Sequence, residues 1–293
     1  MNYILIISDI HDWHSKKIKF ELQKLNYSVK LIKFDDLIVK LFKSKNIIFY
    51  KQKPIKIRAV WVRFISNGTL EELTFKLSIL HILRDSKIYI HNSAEIIEKT
   101  VDKSRTSMIL KLNKISTPST WIFNKKNKNN FERNYLFNSP LIVKPLFGSQ
   151  GKGIKVLKKV EDFLDLKPCG NIYYIQEFLG ELSSKVFSDF RILVSNHKAI
   201  YGIERSSKNY ITNVCLGAKI RKIKIDKELK KICEKISKIF DLGYGGIDIK
   251  IYKKKIYVLE VNSIPSWKGL QSVEKQNMTK ILVDDFITLI SKK

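Results

Sequence analysis

Residues 257–262 read Tyr257-Val258-Leu259-Glu260-Val261-Asn262, and the stretch ahead of them reads Gly245-Gly246-Ile247-Asp248-Ile249-Lys250-Ile251-Tyr252. Both are rich in β-forming residues, and Lys253-Lys254-Lys255 supplies a polar turn between them. A hairpin symmetric about Lys254 sets Asp248 opposite Glu260 and puts Asn262 on the same face two residues further on. Like charges opposed across a strand pair destabilise it, so a cation is expected between the two carboxylates. Three oxygen donors suit magnesium or manganese. Magnesium is usually held by one or two carboxylates, with phosphate oxygens and water completing its shell, which points to a nucleotide phosphate as the missing ligand. The plainer reading, acidic side chains that merely face water, stands beside it for so short a motif.

A chain of 293 residues has room for two or three compact units with their own cores. Its apolar start, Tyr3 to Ile7, is too short for a signal or membrane-spanning segment and reads as a first buried strand. Cys169, Cys215 and Cys233 are odd in number and form no Cys-x-x-Cys pair, which argues against a disulfide framework or zinc cluster. These features fit a cytoplasmic protein with no membrane partner. The net charge of +27 comes mainly from lysine spread along the chain, and no nucleic-acid motif has the expected spacing. The run Lys125-Lys126-Asn127-Lys128 reads as a solvated loop. Self-association is left open.

Through residue 95 or so, strand and helix signals alternate: strands at Tyr3–Ser8, Ser28–Lys33, Ile57–Arg63 and Ile88–His91, with a helix at Ser15–Leu25. That rhythm predicts a small α/β unit with a parallel sheet. Thr69 and Glu72 have the spacing of a capping box ahead of another helix. Ser8-Asp9-Ile10-His11-Asp12-Trp13-His14 follows the first strand, where open α/β sheets bind ligands. His11 and His14 have metal-pair spacing but lack a third ligand, so a polar loop packed beneath Trp13 is the better reading.

From Val101 a helix runs to Leu112, followed by a strand at Thr120–Phe123. Next come Leu141-Ile142-Val143-Lys144-Pro145, then Gly148-Ser149-Gln150-Gly151-Lys152-Gly153, then Ile154 to Leu157. Strand, glycine-rich turn and strand make a flap whose backbone N–H groups can approach phosphate oxygens, although a tight hairpin alone would also use three glycines. Tyr173 to Leu179 is a strand carrying Gln176-Glu177-Phe178, whose polar pair suits an adenine edge or an edge strand facing water. Residues 189–216 carry Asp189, Arg191, Arg205 and Asn213. Arginine is scarce here beside lysine; where it persists, its rigid fork suits carboxylate or phosphate recognition, with simple salt bridges as the alternative. A helix over Asp226–Leu242 ends at a capping Gly243, and a last helix begins near Ser272.

The order of these parts resembles the ATP-grasp ligases, and within them the RimK-type amino-acid ligases. The resemblance spans nearly the whole chain. It is carried by Val101-Asp102-Lys103 with Thr106, Val143-Lys144-Pro145 with the flap, Gln176-Glu177-Phe178, Asp189-Phe190-Arg191, Gly246-Ile247-Asp248 and Glu260-Val261-Asn262. Val62-Arg63 with Gly68 to Glu72, Ile211 to Val214, and Asn262 to Gln271 are similar to the branch containing the tetrahydromethanopterin:glutamate ligases.

The resemblance implies an ATP-grasp fold in three parts: an N-terminal Rossmann-like pre-ATP-grasp unit (1–98), a central lid with the flap (99–180) and a C-terminal metal-bearing unit (181–293). It implies that ATP phosphorylates a carboxylate and that an amine then displaces the phosphate. Lys103 and Lys144 would neutralise phosphate charge, Gly148 to Gly153 would cover it, and Gln176, Glu177 and Phe178 would line the adenine site. Asp248, Glu260 and Asn262 would hold two ions of magnesium or manganese, while Arg191, Arg205 and Asn213 would sit by the acyl phosphate. The implied partners are a small carboxylate acceptor, such as a tetrahydromethanopterin-type pterin, and glutamate. A protein tail or another coenzyme is the alternative acceptor, and a non-catalytic ATP-binding or nucleic-acid-binding protein the second alternative. One departure is Ser266, where the branch usually has glycine; a positive φ there would strain a serine.

Overall fold

The computed structural model describes residues 2–42, 45–130, 139–148 and 151–292. Ser149 and Gln150 of the expected flap lie outside them. The first unit is a parallel sheet built from β1 (Tyr3–Ser8), β2 (Val29–Ile32), β6 (Ile57–Phe64) and β7 (Tyr89–His91), in the order β2-β1-β6-β7. Ile4 to Ile7 are wholly buried because helices cover both faces of a parallel strand. Helix α1 (Trp13–Lys24) is capped by Asp12, whose Oδ1 accepts from the Ser15 N–H at 2.8 Å. Helix α2 (Leu70–Asp85) starts at the expected capping box, with Thr69 N–H donating to Glu72 Oε2 and Glu72 N–H to Thr69 Oγ1.

Between β2 and β6 the chain adds a small antiparallel sheet of β3 (Leu37–Phe42), β4 (Lys45–Tyr50) and β5 (Lys53–Pro54), which the strand-and-helix rhythm did not reveal. Helices α3 (Ala94–Val101) and α4 (Lys103–Leu112) meet at Asp102, whose Oδ1 caps α4 through the Ser104 and Arg105 N–H groups. The helix expected from Val101 to Leu112 is thus α4, which opens two residues later behind its Asp102 cap, and α3 ahead of it was not anticipated.

The second sheet is β10-β9-β11-β8, formed by β8 (Thr120–Asn124), β9 (Leu141–Val143), β10 (Lys155–Leu157) and β11 (Ile172–Glu177), with α5 (Val160–Leu164) between β10 and β11. Strand β11 is flanked on both sides, so its Gln-Glu pair is not explained by an edge strand facing water.

The third sheet is β14-β13-β12-β15-β16, from β12 (Phe187–Ser195), β13 (Lys198–Ser207), β14 (Lys219–Ile223), β15 (Tyr244–Tyr252) and β16 (Lys255–Asn262). One face is apolar: Ile192, Val194, Ile247 and Ile249 pack on Leu229, Cys233 and Ile236 of α6 (Lys227–Ile239). That helix ends sooner than the expected glycine cap. Asp241 takes the left-handed turn with φ 55°, and Gly243 is needed for another reason, since a Cβ there would lie 2.4 Å from His91 Nδ1. After the short α7 (Lys268–Ser272), α8 (Met278–Ser291) starts behind an Asn277 cap, six residues later than the expected start. It returns to the first sheet, where Met278, Leu282 and Phe286 share a core with Ile4, Ile6 and Trp61. No helix among the described residues is long and apolar enough to cross a membrane.

Candidate active site

The other face of the third sheet is charged, and its pairing register explains why. Asp248 lies opposite Glu260 on one side and opposite Arg191 on the other, while Asp189 lies opposite Arg205. The Asp248–Glu260 pairing arises differently from the symmetric turn expected above. The turn has two residues, Lys253 (φ 49°) and Lys254 (φ 62°), and Tyr252 pairs with Lys255. Partners stay in that register to Ile249 and Val258, where a bulge inserts Leu259 and brings Asp248 opposite Glu260. A one-residue shift turns side chains to the other face. The bulge therefore lets Val258 and Val261 both enter the apolar core while Glu260 and Asn262 stay on the charged face.

Arg191 grips Asp248 bidentately, donating from Nε to Oδ1 at 2.7 Å and from Nη2 to Oδ2 at 2.6 Å. Arg205 makes the same fork on Asp189 at 2.6 Å and 2.6 Å, and its Nη2 also lies 3.1 Å from Asp248 Oδ2. Thr212 completes the cluster by donating its hydroxyl to Asp189 Oδ2 at 2.7 Å. Burial works to raise Asp248, but Arg191 and Arg205 outweigh it and hold the carboxyl at about 2. Arg205 is raised by the two aspartates against the effect of burial and keeps its charge.

Lys144 follows β9 and donates to Gln176 Oε1 at 2.7 Å, while Gln176 Nε2 donates to Thr120 Oγ1 at 3.0 Å. The buried Gln176 amide thus has both ends engaged in aiming a lysine. Burial pushes Lys144 down to about 8; Glu260, Asp248 and Asp189 resist that fall and Lys103 adds to it. Lys103 opens α4 and donates to the Gly148 carbonyl at 2.8 Å. Gly148, Gly151 and Gly153 all have positive φ, and a Cβ on Gly151 would lie 2.6 Å from Ile211 Cγ2 and 3.7 Å from Asn213 Oδ1. Gly151 therefore lies against the loop that carries Asn213. Glu177 accepts from the Ser119 hydroxyl at 3.1 Å, and Phe178 packs edgewise on Phe187 and Tyr210. Four cations (Lys103, Lys144, Arg191, Arg205) thus cluster with three carboxylates (Asp189, Asp248, Glu260), an excess of positive charge that suits a polyphosphate.

A RimK-like ATP-grasp domain matches residues 100–286 of this chain. The chain belongs to the RimK-like ATP-grasp family. Among curated relatives, the tetrahydromethanopterin:alpha-L-glutamate ligase of Methanococcus maripaludis is 28% identical over 291 residues, covering 96% of each chain. The coenzyme gamma-F420-2:alpha-L-glutamate ligase of the same organism is 30% identical over 239 residues, covering 80% of this chain and 83% of the relative. The solved ATP-grasp ligase PsnB, complexed with a minimal precursor, Mg and ADP, superposes with a TM-score of 0.74 at 18% identity, covering 98% of each chain. The chain is accordingly an ATP-dependent, amide-forming ATP-grasp ligase, in a family that uses ATP with divalent metal.

Within this ATP-grasp frame the donor set fits a hard divalent cation. Asp248 is ionised across the working pH range, and its Oδ1, which accepts only from Arg191 Nε, retains a second lone pair, whereas Oδ2 faces both Arg191 and Arg205. The buried Nδ2 of Asn262 has no hydrogen-bond partner, and turning that amide over presents Oδ1 in its place. His14 is engaged elsewhere, with Nδ1 on Asp12 at 2.7 Å and Nε2 facing the Trp267 and Lys268 N–H groups at 3.2 Å each. The sequence singled out Asp189 beside Arg191 without giving it a role, and gave Thr212 none; both anchor Arg205 or its partner here. Ser266 avoids the feared strain, since it is not among the residues with positive φ, and its hydroxyl bonds His14 Nε2 at 3.1 Å.

Proposed function

We propose that this ligase adds the amine of L-glutamate to a carboxylate of a small coenzyme-like acceptor, with a tetrahydromethanopterin-type pterin as the leading candidate. The observation that carries the chemistry is the cationic cluster of Lys103, Lys144, Arg191 and Arg205 facing a glycine flap. The similarity to the tetrahydromethanopterin:alpha-L-glutamate ligase over nearly the whole chain supports the substrate pair. Peptide-bound structural neighbours make a protein tail the second reading for the acceptor.

On this reading residues 1–98 help to bind the acceptor, 99–180 form the lid and 181–293 bear the metal carboxylates, and the enzyme works in the cytoplasm. Lys103 and Lys144 bind the polyphosphate, and Gln176 fixes where the Lys144 ammonium points. Gly151 lets the flap settle on the Asn213 loop, closing the site to water that would hydrolyse an acylphosphate. An acceptor carboxylate oxygen attacks the γ-phosphorus and ADP leaves. Glutamate's amine then attacks the acyl carbon, inorganic phosphate leaves with one acceptor oxygen, and the amine sheds its proton. Arg191 and Arg205 are placed to stabilise the oxyanions of both steps. Asp248, Glu260 and Asn262 would hold magnesium or manganese, whose charge offsets repulsion between carboxylate and phosphate.

ADP release by the purified enzyme, across amino acids and a pool of pterin, deazaflavin, furan and peptide acceptors, tests the assignment. Release that requires both glutamate and a pterin acceptor supports it. Release with another amine or only with a peptide overturns the substrate assignment.

A further inference from the structure

Arg63 lies near the end of β6, with 5% of its side chain exposed. Its Nε and Nη1 are buried without a hydrogen-bond partner. Its nearest acid is Asp12, with Oδ2 4.0 Å from Nη2, a distance too long for a hydrogen bond. Asp12 is committed elsewhere, since Oδ2 pairs with His14 Nδ1 at 2.7 Å and Oδ1 caps α1 through Ser15.

His14 does not supply a counter-charge. Its Nδ1–H donates to Asp12, which leaves Nε2 as an acceptor for the Trp267 and Lys268 N–H groups, each at 3.2 Å. Burial, with Arg63 and Lys268 nearby, holds the His14 pKa below its ordinary value although Asp12 opposes this. The guanidinium lies over the Trp267 ring, 5.0 Å from its centroid. A cation enclosed this way without a bidentate acid is expensive to keep. It has the form of a fork awaiting an oxyanion.

Its place narrows what that oxyanion belongs to. Arg63 directly follows Val62, whose carbonyl accepts from the Tyr244 hydroxyl at 2.9 Å, so it sits beside the start of β15. Tyr244, Gly246 and Asp248 alternate onto one face of β15, and four residues of strand span about 13 Å. That is longer than a free amino acid bridges from the metal carboxylates. The approach is from the carboxyl end of the parallel strands β1 and β6, where open α/β sheets receive ligands.

We infer that Arg63 binds a second acidic group of the acceptor, a carboxylate or a phosphate remote from the carboxylate that is activated. The inference rests on the ligase reading above. Arg63 thereby selects acceptors that are anionic at both ends, and Asp12 and Trp267 hold its fork in place.

The test titrates inorganic phosphate, and separately glutarate, into protein saturated with a non-hydrolysable ATP analogue, following tryptophan emission. Wild-type protein should respond saturably to one probe or both, and which probe wins separates phosphate from carboxylate. R63M should bind that probe at least tenfold more weakly and R63K should fall between, while nucleotide affinity stays within twofold in both. Equal probe affinity in wild type and R63M, or no saturable response in wild type, overturns the inference. A lowered melting temperature with unchanged probe affinity also overturns it, because Arg63 would then be only structural. Failure of the ligase reading would appear instead as absent nucleotide binding, and the probe titration would still report on Arg63.

Discussion

Arg191 and Asp248 form a two-point clamp at 2.7 Å and 2.6 Å across directly paired strands. The carboxylate proposed to meet the metal is therefore also the counter-ion of two arginines, Arg205 buried and Arg191 partly so. Asp248→Asn should accordingly damage fold and function together. Breaking a buried pair from one side costs about 3–5 kcal/mol, so denaturant melts should show a loss of that order alongside loss of ADP release.

Glu260→Ala should separate the two effects. Glu260 is half-buried and no core surrounds its carboxylate, so turnover should disappear while the melting curve stays close to that of wild type. ADP release and thermal melts on one sample check this. Wild-type turnover would remove Glu260 from the site.

Nucleotide affinity should fall as pH rises through the Lys144 pKa. Burial holds that ammonium at about 8 despite the neighbouring carboxylates, so above pH 8 the free site loses its proton. Binding of a polyphosphate must then restore the proton, and the dissociation constant should rise up to tenfold per pH unit above 8. Titration between pH 7 and 9.5 measures the slope, which should vanish in Lys144→Met.

Gly151→Ala should slow turnover at least tenfold. The residue has φ 75°, and its Cβ would meet Ile211 Cγ2 at 2.6 Å, so the flap must lift from the Asn213 loop. Steady-state kinetics should show the loss with little change in the melting temperature, since the flap is not part of a core.

Much of this was legible in the sequence, for reasons that differ by residue. The opposition of Asp248 and Glu260 was correctly anticipated, yet the assumed three-residue turn is a two-residue turn offset by a bulge at Leu259. Two local deviations cancel at the one pair that matters. The parallel first sheet and the Thr69 capping box were visible because periodicity and capping are local. The β3 to β5 sheet was missed, since lysines interrupt its apolar runs, and so was helix α3 ahead of the Asp102 cap. The engagement of Gln176 with Lys144 depends on the pairing of β9 with β11, a long-range fact that residue types alone do not disclose.

The most direct measurement follows an oxygen atom. Acceptor labelled with oxygen-18 in its carboxylate is turned over with ATP and glutamate, and the inorganic phosphate released is analysed by mass spectrometry. The acylphosphate route predicts one labelled oxygen per phosphate, with ADP as the other product. Unlabelled phosphate, or AMP carrying the label with unlabelled pyrophosphate as the other product, would contradict it.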